Sequence, residues 1–271
     1  MRTLRDCAWK ACGRCGLALV VVLCLAAPAW ARSSVALSRA TAASVPLLVV
    51  TVDLSDPNVR VTGEALASGH ADRFDSMVRR THPTAAITGT YFGMGSLVPV
   101  GDIVVNGALV HHGGVGTALC VTGDNRCEII RPRRHSRSDW SAYDFVCCAG
   151  PRLVAAGHLA LDPHTEGFRD PALFRHARRL AIGLTADNRL ILAATRQPIS
   201  LRRLAYAMRA LGCMDAINLD AGSSLGFYYG GRFIVKPQRR LTNLILIYND
   251  QDRFERFKAR LAPALPRTAL R

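Results

Sequence analysis

Turn signals recur along the chain between short β-type runs, and they constrain the fold more than any other feature. Four turn pairs each separate two such runs: Asn106-Gly107, Ala156-Gly157, Asp187-Asn188 and Gly230-Gly231. Pairs of this kind are typical of the tight turns that join antiparallel neighbours. One long amphipathic helix is evident, with Ser200 as its N-cap and Gly212 at its end. The sequence therefore predicts an α+β fold that is β-rich, with a mostly antiparallel mixed sheet and one clear amphipathic helix.

The N-terminus has the pattern of a secretory signal peptide. A basic start is followed by the apolar run Leu17–Ala27 and the small-x-small site Ala29-Trp30-Ala31. The run is shorter than the ~20 residues that span a bilayer, so we expect no stable membrane span after cleavage. We therefore predict a signal peptide over residues 1–31, a single domain over residues 32–271, and a periplasmic or secreted location.

The charge of the chain is strongly basic. It holds 35 Lys and Arg against 20 Asp and Glu, a formal net charge of +15. In an exported protein this charge fits a phosphorylated or anionic glycan as the partner. No helix-turn-helix, zinc-finger or RNA-binding motif is present, so we expect no nucleic acid partner.

Five cysteines lie beyond the signal peptide, an odd number that leaves at least one thiol unpaired. Cys120 and Cys127 flank a hairpin-like turn, so we expect a local disulfide between them. We also expect Cys147 or Cys148 to reach Cys213. The export signal therefore favours a secreted or periplasmic protein with disulfide bonds.

Metal and cofactor binding are not expected. The cysteines lack the C-x-x-C spacing of a zinc site. His111 and His112 are adjacent, and neighbouring side chains on a strand point to opposite faces. Asp162 and His164 form a second weak pair. We predict no metal ligands and no cofactor.

The stretch from Asp215 to Phe227 carries the strongest chemical signal. It opens as a short apolar run, and Asn218 and Asp220 stand two residues apart, so both project from one face of a strand. The small-residue turn that follows leaves backbone N–H groups and hydroxyls free to meet an anion. A carboxylate beside such a turn is suited to a sugar or a phosphate. The alternative is that Asp220 only caps a β-turn.

A second interpretation of the same stretch is an esterase. Residues 222–226 match G-x-S-x-G, which would make Ser224 an acyl-transfer nucleophile. That motif must lead into a helix, whereas residues 227–231 have the pattern of a strand and turn. The triad also needs a His after the Ser, and His176 is the last one in the chain. The sequence disfavours this reading.

Several segments together resemble one protein family. They are Ile87–Phe92, Val98–Gly101 with Asn106-Gly107, Ala149–Val154, Arg179–Gly183, Ala216–Ser224 and Arg240–Asn243. In this order they resemble the phosphodiester glycosidase family, and Ala216–Ser224 is similar to its N-L-D-G-G-x-S motif. The family includes an enzyme that removes N-acetylglucosamine from a phosphodiester on mannose, and bacterial exopolysaccharide-related proteins.

The resemblance and the chemistry of such a bond together imply the site residues. Cleavage at the anomeric carbon needs a carboxylate near the ring and cations on the phosphate. We assign the carboxylate to Asp220, as nucleophile, base or electrostatic stabiliser, and the phosphate contacts to Arg179 and Arg240, whose guanidinium forks fit phosphate oxygens. The catalytic set is Asp220, Arg179 and Thr90; the substrate-binding set is Arg240, Asn218, Gly89, Thr88, Gly222, Ser223, Ser224 and Gly150. Asp102 and Glu166 are equal candidates for a second carboxylate.

Two positions depart from the family pattern. Thr88 stands where the family has Asn, and Ala221 where it has Gly. Thr88 offers a hydroxyl in place of an amide, and Ala tolerates a positive φ poorly. The function expected is an exported hydrolase, a glycosidase that cleaves the glycosidic C–O bond of sugar-1-phosphodiesters or related envelope glycan linkages. The alternative is a non-catalytic exopolysaccharide-binding or assembly protein of the cell envelope.

Overall fold

A computed structural model describes residues 33–133 and 137–263, so the expected signal peptide lies outside the described residues. The strands, numbered along the chain, are β1 Val35–Ala42, β2 Val45–Asp53, β3 Arg60–Ala65, β4 Ala85–Thr88, β5 Ile103–Val105, β6 Ala108–His111, β7 Thr117–Val121, β8 Cys127–Ile130, β9 Phe145–Ala149, β10 Arg152–Ala155, β11 His158–Leu159, β12 Leu180–Thr185, β13 Arg189–Thr195, β14 Cys213–Leu219, β15 Phe227–Tyr229, β16 Arg232–Val235 and β17 Asn243–Tyr248. The helices are α1 Phe74–Thr81, α2 Pro171–Phe174, α3 Leu201–Ala210 and α4 Gln251–Phe257, with single 3-10 turns at Gly222–Ser224 and Lys258–Arg260.

The described strands form three sheets whose paired strands are antiparallel. The largest has seven strands in the order β1-β2-β13-β12-β14-β10-β11. The other two have five strands each, in the orders β16-β15-β4-β17-β3 and β6-β5-β9-β7-β8. The predicted α+β, β-rich class is confirmed, because strands dominate and helices are few.

One core joins the three sheets, and alternation along the strands explains how. In β2, Leu48, Val50 and Val52 face this shared core, whereas Leu47 and Val49 face a second core under α3. Successive side chains of a strand point to opposite faces, so a strand covered on both sides is apolar throughout. β2 therefore shows an unbroken apolar run instead of an alternating one.

The helices follow their local signals closely. The Ser200 side chain accepts a hydrogen bond from the Arg203 N–H at 3.3 Å, as the predicted N-cap requires, and Gly212 has φ +86° just past the end of α3. No helix within the described ranges is both long and apolar enough to cross a membrane.

The expected disulfides are wrong, because all five cysteines of the described chain are free. In the β7–β8 pair Val121, not Cys120, stands opposite Cys127, so the side chains of Cys120 and Cys127 lie on opposite faces of the sheet. Cys147 packs in the shared core, Cys148 on the outer face of its sheet, and Cys213 in the core under α3. These separate environments keep the thiols apart.

Candidate functional site

The Asp220 segment lies where two sheets meet. Asp220 follows β14 of the seven-stranded sheet, and Gly89 follows β4 of a five-stranded sheet. The Asp220 N–H donates to the Gly89 carbonyl at 3.0 Å. The two strand ends are thus tied together across the junction, which fixes the backbone that carries the carboxylate.

Gly89 is needed at this junction because Asn243 occupies the space beside it. A Cβ at residue 89 would lie 2.2 Å from Asn243 Oδ1. That oxygen accepts from the Thr90 N–H at 2.7 Å, and Asn243 Nδ2 donates to the Thr90 carbonyl at 3.1 Å. The Asn243 amide therefore holds the Thr90 backbone from both sides.

Thr88 fastens the loop that follows Asp220. Its hydroxyl donates to the Ser224 carbonyl at 2.7 Å and accepts from the Gly226 N–H at 2.9 Å. Ala221 has φ −148°, while Gly222 takes the positive φ of 62°. The two departures from the family pattern are therefore accommodated: Thr88 supports the loop from behind, and Ala221 needs no left-handed backbone.

The same loop excludes a nucleophile elbow at Ser224. A single 3-10 turn, Gly222–Ser224, leads into strand β15 instead of a helix. Ser224 is completely buried, and its Oγ accepts a hydrogen bond from Arg239 Nε at 2.5 Å. An elbow serine must stand exposed at a strand-to-helix turn.

Asp220 opens onto a cleft of about 600 Å³, which we call the Asp220 cleft. Its walls come from residues 91–94, residues 167–179, the Asp220 loop and Arg239. The charged residues that line it are four arginines and two aspartates: Arg169, Arg178, Arg179, Arg239, Asp170 and Asp220. Tyr91, Phe92, Met94 and Phe168 add apolar surface. A net positive cleft with aromatic walls is suited to an anionic sugar derivative.

The Asp220 carboxyl is buried, with 5% of its surface exposed. Burial raises its pKa to about 6, although Arg239 and the Ser224 hydroxyl act in the opposite direction. Its Oδ2 accepts from Arg239 Nη2 at 3.3 Å. A carboxyl with this pKa is mostly ionised at neutral pH and becomes protonated as the pH falls through about 6.

Arg239 is the cation that faces Asp220. Its guanidinium lies 4.5 Å from the centre of the Phe92 ring, contacts Asp220 and Ser224, and reaches Met94 Sδ. The side chain keeps 23% of its surface exposed. Ring stacking and a carboxylate partner fix its orientation while leaving part of it open to a ligand.

Arg179 also lines the cleft, but most of its donors are engaged. Nη2 donates to the carbonyls of Leu173, at 2.8 Å, and Arg175, and Nε donates to Ile199 at 3.3 Å. Only 4% of the residue is exposed, and burial lowers the pKa of the guanidinium. Nη1 makes none of these bonds. Arg179 therefore holds the wall segment in place and contributes positive charge to it.

Tyr91 links Asn218 to the segment that carries Gly150. Asn218 Nδ2 donates to the Tyr91 hydroxyl, which in turn donates to the Gly150 carbonyl at 2.7 Å. Within the described residues, Asn218 Oδ1 and Thr90 Oγ1 are buried without a hydrogen-bond partner. Burial raises the pKa of the Tyr91 hydroxyl.

The structure thus gathers part of the expected site. Asp220, Arg179, Gly222 and Ser223 line the Asp220 cleft. The other expected members lie behind its lining or elsewhere: Thr88, Gly89, Thr90, Gly150, Asn218, Ser224 and Arg240. Arg240 is exposed and lines two adjoining clefts instead.

Neither candidate for a second carboxylate reaches the Asp220 cleft. Asp102 accepts from Trp140 Nε1 and the Gly113 N–H, both at 2.7 Å. Glu166 accepts from the Thr117 hydroxyl at 2.6 Å and the Arg152 N–H at 2.8 Å. Both carboxylates are used to fix loops.

Sequence reasoning missed Arg239 and Asp170. Asp170 caps α2, where its Oδ1 accepts from the Ala172 N–H at 2.8 Å, and it lines the cleft. An acidic residue directly before Pro171 was the available signal for this cap. Arg239 precedes Arg240, and the sequence gives no means of deciding which of two adjacent arginines faces the carboxylate.

The fold and the cleft define a β-rich protein with a preorganised carboxylate in a cationic cleft. Comparison of the sequence with family models is consistent with this class: residues 81–248 match the phosphodiester glycosidase model. The chain belongs to the phosphodiester glycosidase family. Among curated proteins, no sequence matches it.

Solved structures share the fold at low identity. A hypothetical protein from Synechocystis matches with TM-score 0.61 and 15% identity over 79% of this chain, which spans only 61% of that protein. The catalytic domain of zebrafish N-acetylglucosamine-1-phosphodiester alpha-N-acetylglucosaminidase, auto-inhibited by its pro-peptide, matches with TM-score 0.63 and 17% identity over 80% of this chain and 83% of that one. A putative exported protein from Burkholderia pseudomallei K96243 matches with TM-score 0.51 and 16% identity over 76% and 74%.

Proposed function

We propose that this protein is an exported hydrolase that cleaves the glycosidic C–O bond of sugar-1-phosphodiesters or related envelope glycan linkages. One observation carries the proposal: a buried carboxyl, Asp220, opens onto a cleft that four arginines line. Family membership supports the reaction class, and the N-terminal export pattern supports the location.

The reaction asks for the two kinds of group that meet in this cleft. Cleavage between the anomeric carbon and the bridging oxygen leaves positive charge on the sugar ring and releases a phosphate monoester, while water supplies the new hydroxyl. An ionised Asp220 can stabilise the ring charge or bond to the anomeric carbon. The phosphate monoester is a good leaving group, so its departure needs cations more than a strong acid.

We assign the phosphate contact first to Arg239 and second to Arg179. Arg239 is oriented by Phe92 and remains partly exposed, so it can turn one edge of its fork toward a phosphate. Arg179 has Nη1 outside its three carbonyl bonds. Behind the lining of the Asp220 cleft, Asn218, Thr90 and Gly89 position Asp220 and Tyr91.

The direct test is release of free sugar from an aryl glycosyl phosphodiester. Wild-type protein should release it, and Asp220→Asn should abolish release while the fold, followed by circular dichroism, is kept. Asp162→Asn is the matched control, because Asp162 is an exposed aspartate that does not line the Asp220 cleft.

Two outcomes would contradict the proposal. Full activity of Asp220→Asn would remove Asp220 from the reaction. Binding of the phosphodiester by wild-type protein without turnover, weakened strongly by salt, would favour the alternative of a non-catalytic glycan-binding protein.

A further inference from the structure

Three clefts meet at Arg239. Besides the Asp220 cleft, Arg239 lines a cleft of about 520 Å³ with His70, Leu97 and Arg240, which we call the Arg240 cleft. It also lines a cleft of about 280 Å³ with Arg73, Phe233, Lys236 and Arg240, which we call the Lys236 cleft. Phe92 and Met94 belong to both the Asp220 cleft and the Arg240 cleft. The concave surface therefore continues from the carboxylate past Arg239.

The two outer clefts carry more positive than negative charge: Arg73, Lys236, Arg239 and Arg240 line them, against Asp75. Arg240 is exposed and makes no hydrogen bond or salt bridge with any described residue. Asp72 is close enough to interact with it electrostatically, but the salt bridge of Asp72 is to Arg80 at 2.5 Å. Lys236 is exposed, with its ammonium 5.6 Å from the Phe233 ring centre. Arg73, by contrast, pairs with Asp75 at 3.0 Å.

The adjacent residues Arg239 and Arg240 make different contacts. Arg239 is bound to Asp220 and stacked on Phe92, whereas Arg240 has no such partner and faces the two outer clefts. A single phosphodiester in the Asp220 cleft would leave Arg240 unused. A second phosphate further along the same molecule would meet it, and charge-assisted contacts of this kind are the strong ones.

The apolar part of the surface fits a sugar between the two phosphates. Met94, which is 71% exposed, lines both the Asp220 and the Arg240 clefts beside the largely buried Phe92. Leu97 adds apolar surface on the Arg240 side. Apolar side chains flanked by a few charged groups are typical of carbohydrate and small-molecule sites.

We propose that Arg240, with Lys236 and His70 around it, forms a second phosphate subsite, and that the substrate is a glycan chain with successive phosphodiesters instead of an isolated sugar phosphodiester. The substrate class rests on the proposed function, since the scissile bond is placed at Asp220. The subsite itself rests on the charges and clefts around Arg240.

The test compares a short and a long substrate in one pair of variants. Arg240→Gln should lower kcat/KM about tenfold for an oligosaccharide with several phosphodiester repeats and leave a methyl phosphodiester of one sugar unchanged. Arg202→Gln, an exposed arginine on α3 that lines none of the three clefts, removes the same charge and should change neither. Equal effects of Arg240→Gln on both substrates, or none on either, would overturn the second subsite.

A binding arm separates this inference from the proposed function. Inorganic polyphosphate of about 15 units is titrated against wild type, Arg240→Gln and Arg202→Gln, with orthophosphate as the short probe. Arg240→Gln should weaken polyphosphate binding and flatten its salt dependence, with orthophosphate unaffected. That result in a protein inert on every phosphodiester would refute hydrolysis and support the subsite. Hydrolysis of phosphodiesters, together with polyphosphate binding that Arg240→Gln does not weaken, would support the proposed function and refute the second subsite.

Discussion

Asp220 should make the folded protein less stable at neutral pH, and its removal should reverse this. Burial raises the pKa of this carboxyl from 3.8 to about 6. The folded state therefore holds the proton more tightly than the unfolded chain, so stability falls as pH rises. The penalty is absent below pH 3.8, grows between pH 3.8 and 6, and is complete above pH 6.

The size of the effect follows from the shift. A difference of about two pKa units corresponds to about 3 kcal/mol at pH 8, and about half of that at pH 5. An asparagine at position 220 carries no charge to desolvate. Its amide oxygen can still accept from Arg239, and its NH2 can donate to the Ser224 hydroxyl. Asp220→Asn should therefore raise the free energy of unfolding by up to about 3 kcal/mol at pH 8 and by almost nothing at pH 4.

The assay is urea unfolding followed by tryptophan fluorescence at several values between pH 4 and pH 8, with the m-value checked for constancy. Asp53→Asn is a sign control, because a hydrogen bond from Ser55 lowers the pKa of Asp53. That variant should be less stable than wild type, and the loss should grow as pH rises. If Asp220→Asn is less stable than wild type at pH 8, or if its gain in stability does not depend on pH, burial of the ionised Asp220 carboxyl does not cost the fold stability and the reasoning is refuted.

Three further predictions concern the groups around Asp220. Arg239→Gln should lower kcat/KM on a monomeric phosphodiester at least tenfold. It should also move the acid limb of the pH profile to higher pH, since Arg239 lowers the pKa of Asp220. Arg202→Gln, which removes the same charge away from the clefts, is the control, and an unmoved limb in Arg239→Gln would contradict the pairing. Gly89→Ala should displace Asn243 from Thr90 and cost about 1–3 kcal/mol in thermal unfolding, whereas Gly114→Ala, where an added Cβ meets no atom within 4 Å, should be near neutral. Thr88→Val should remove both hydrogen bonds to the Asp220 loop and lower the free energy of unfolding by about 1–3 kcal/mol. Unchanged stability would show that those bonds are replaced by water.

The β-rich class and α3 could be predicted because their signals are local. Turn pairs, the Ser200 cap and Gly212 act through neighbours in sequence, and the structure places α3 between those caps. The disulfides could not be predicted, because the register that puts Cys120 and Cys127 on opposite faces is set by pairing with β9 and by the shared core. Two cysteines that flank a turn are close in sequence without being on one face.

The same distinction between local signals and tertiary packing applies to the candidate site. The position of Asp220 at the end of a buried strand is a local property, visible in the sequence. The choice between Arg239 and Arg240 is not, because it depends on where Phe92 and Asp220 stand after two sheets have met. Asp102 and Glu166 show the converse: acidic residues that looked available are consumed by Trp140, Thr117 and backbone N–H groups.

The two departures from the family pattern leave the features that the proposed chemistry needs in place. Thr88 bonds to the back of the Asp220 loop, and Ala221 has a negative φ, so it needs no glycine. Neither change alters the burial of Asp220 or the stacking of Arg239, which are the features that the proposed chemistry needs. The groups that meet the rest of a substrate come from residues 167–179 and from Arg239 and Arg240. Exchange of residues 167–179 should therefore change which glycan is accepted before it changes whether the bond at Asp220 is cleaved.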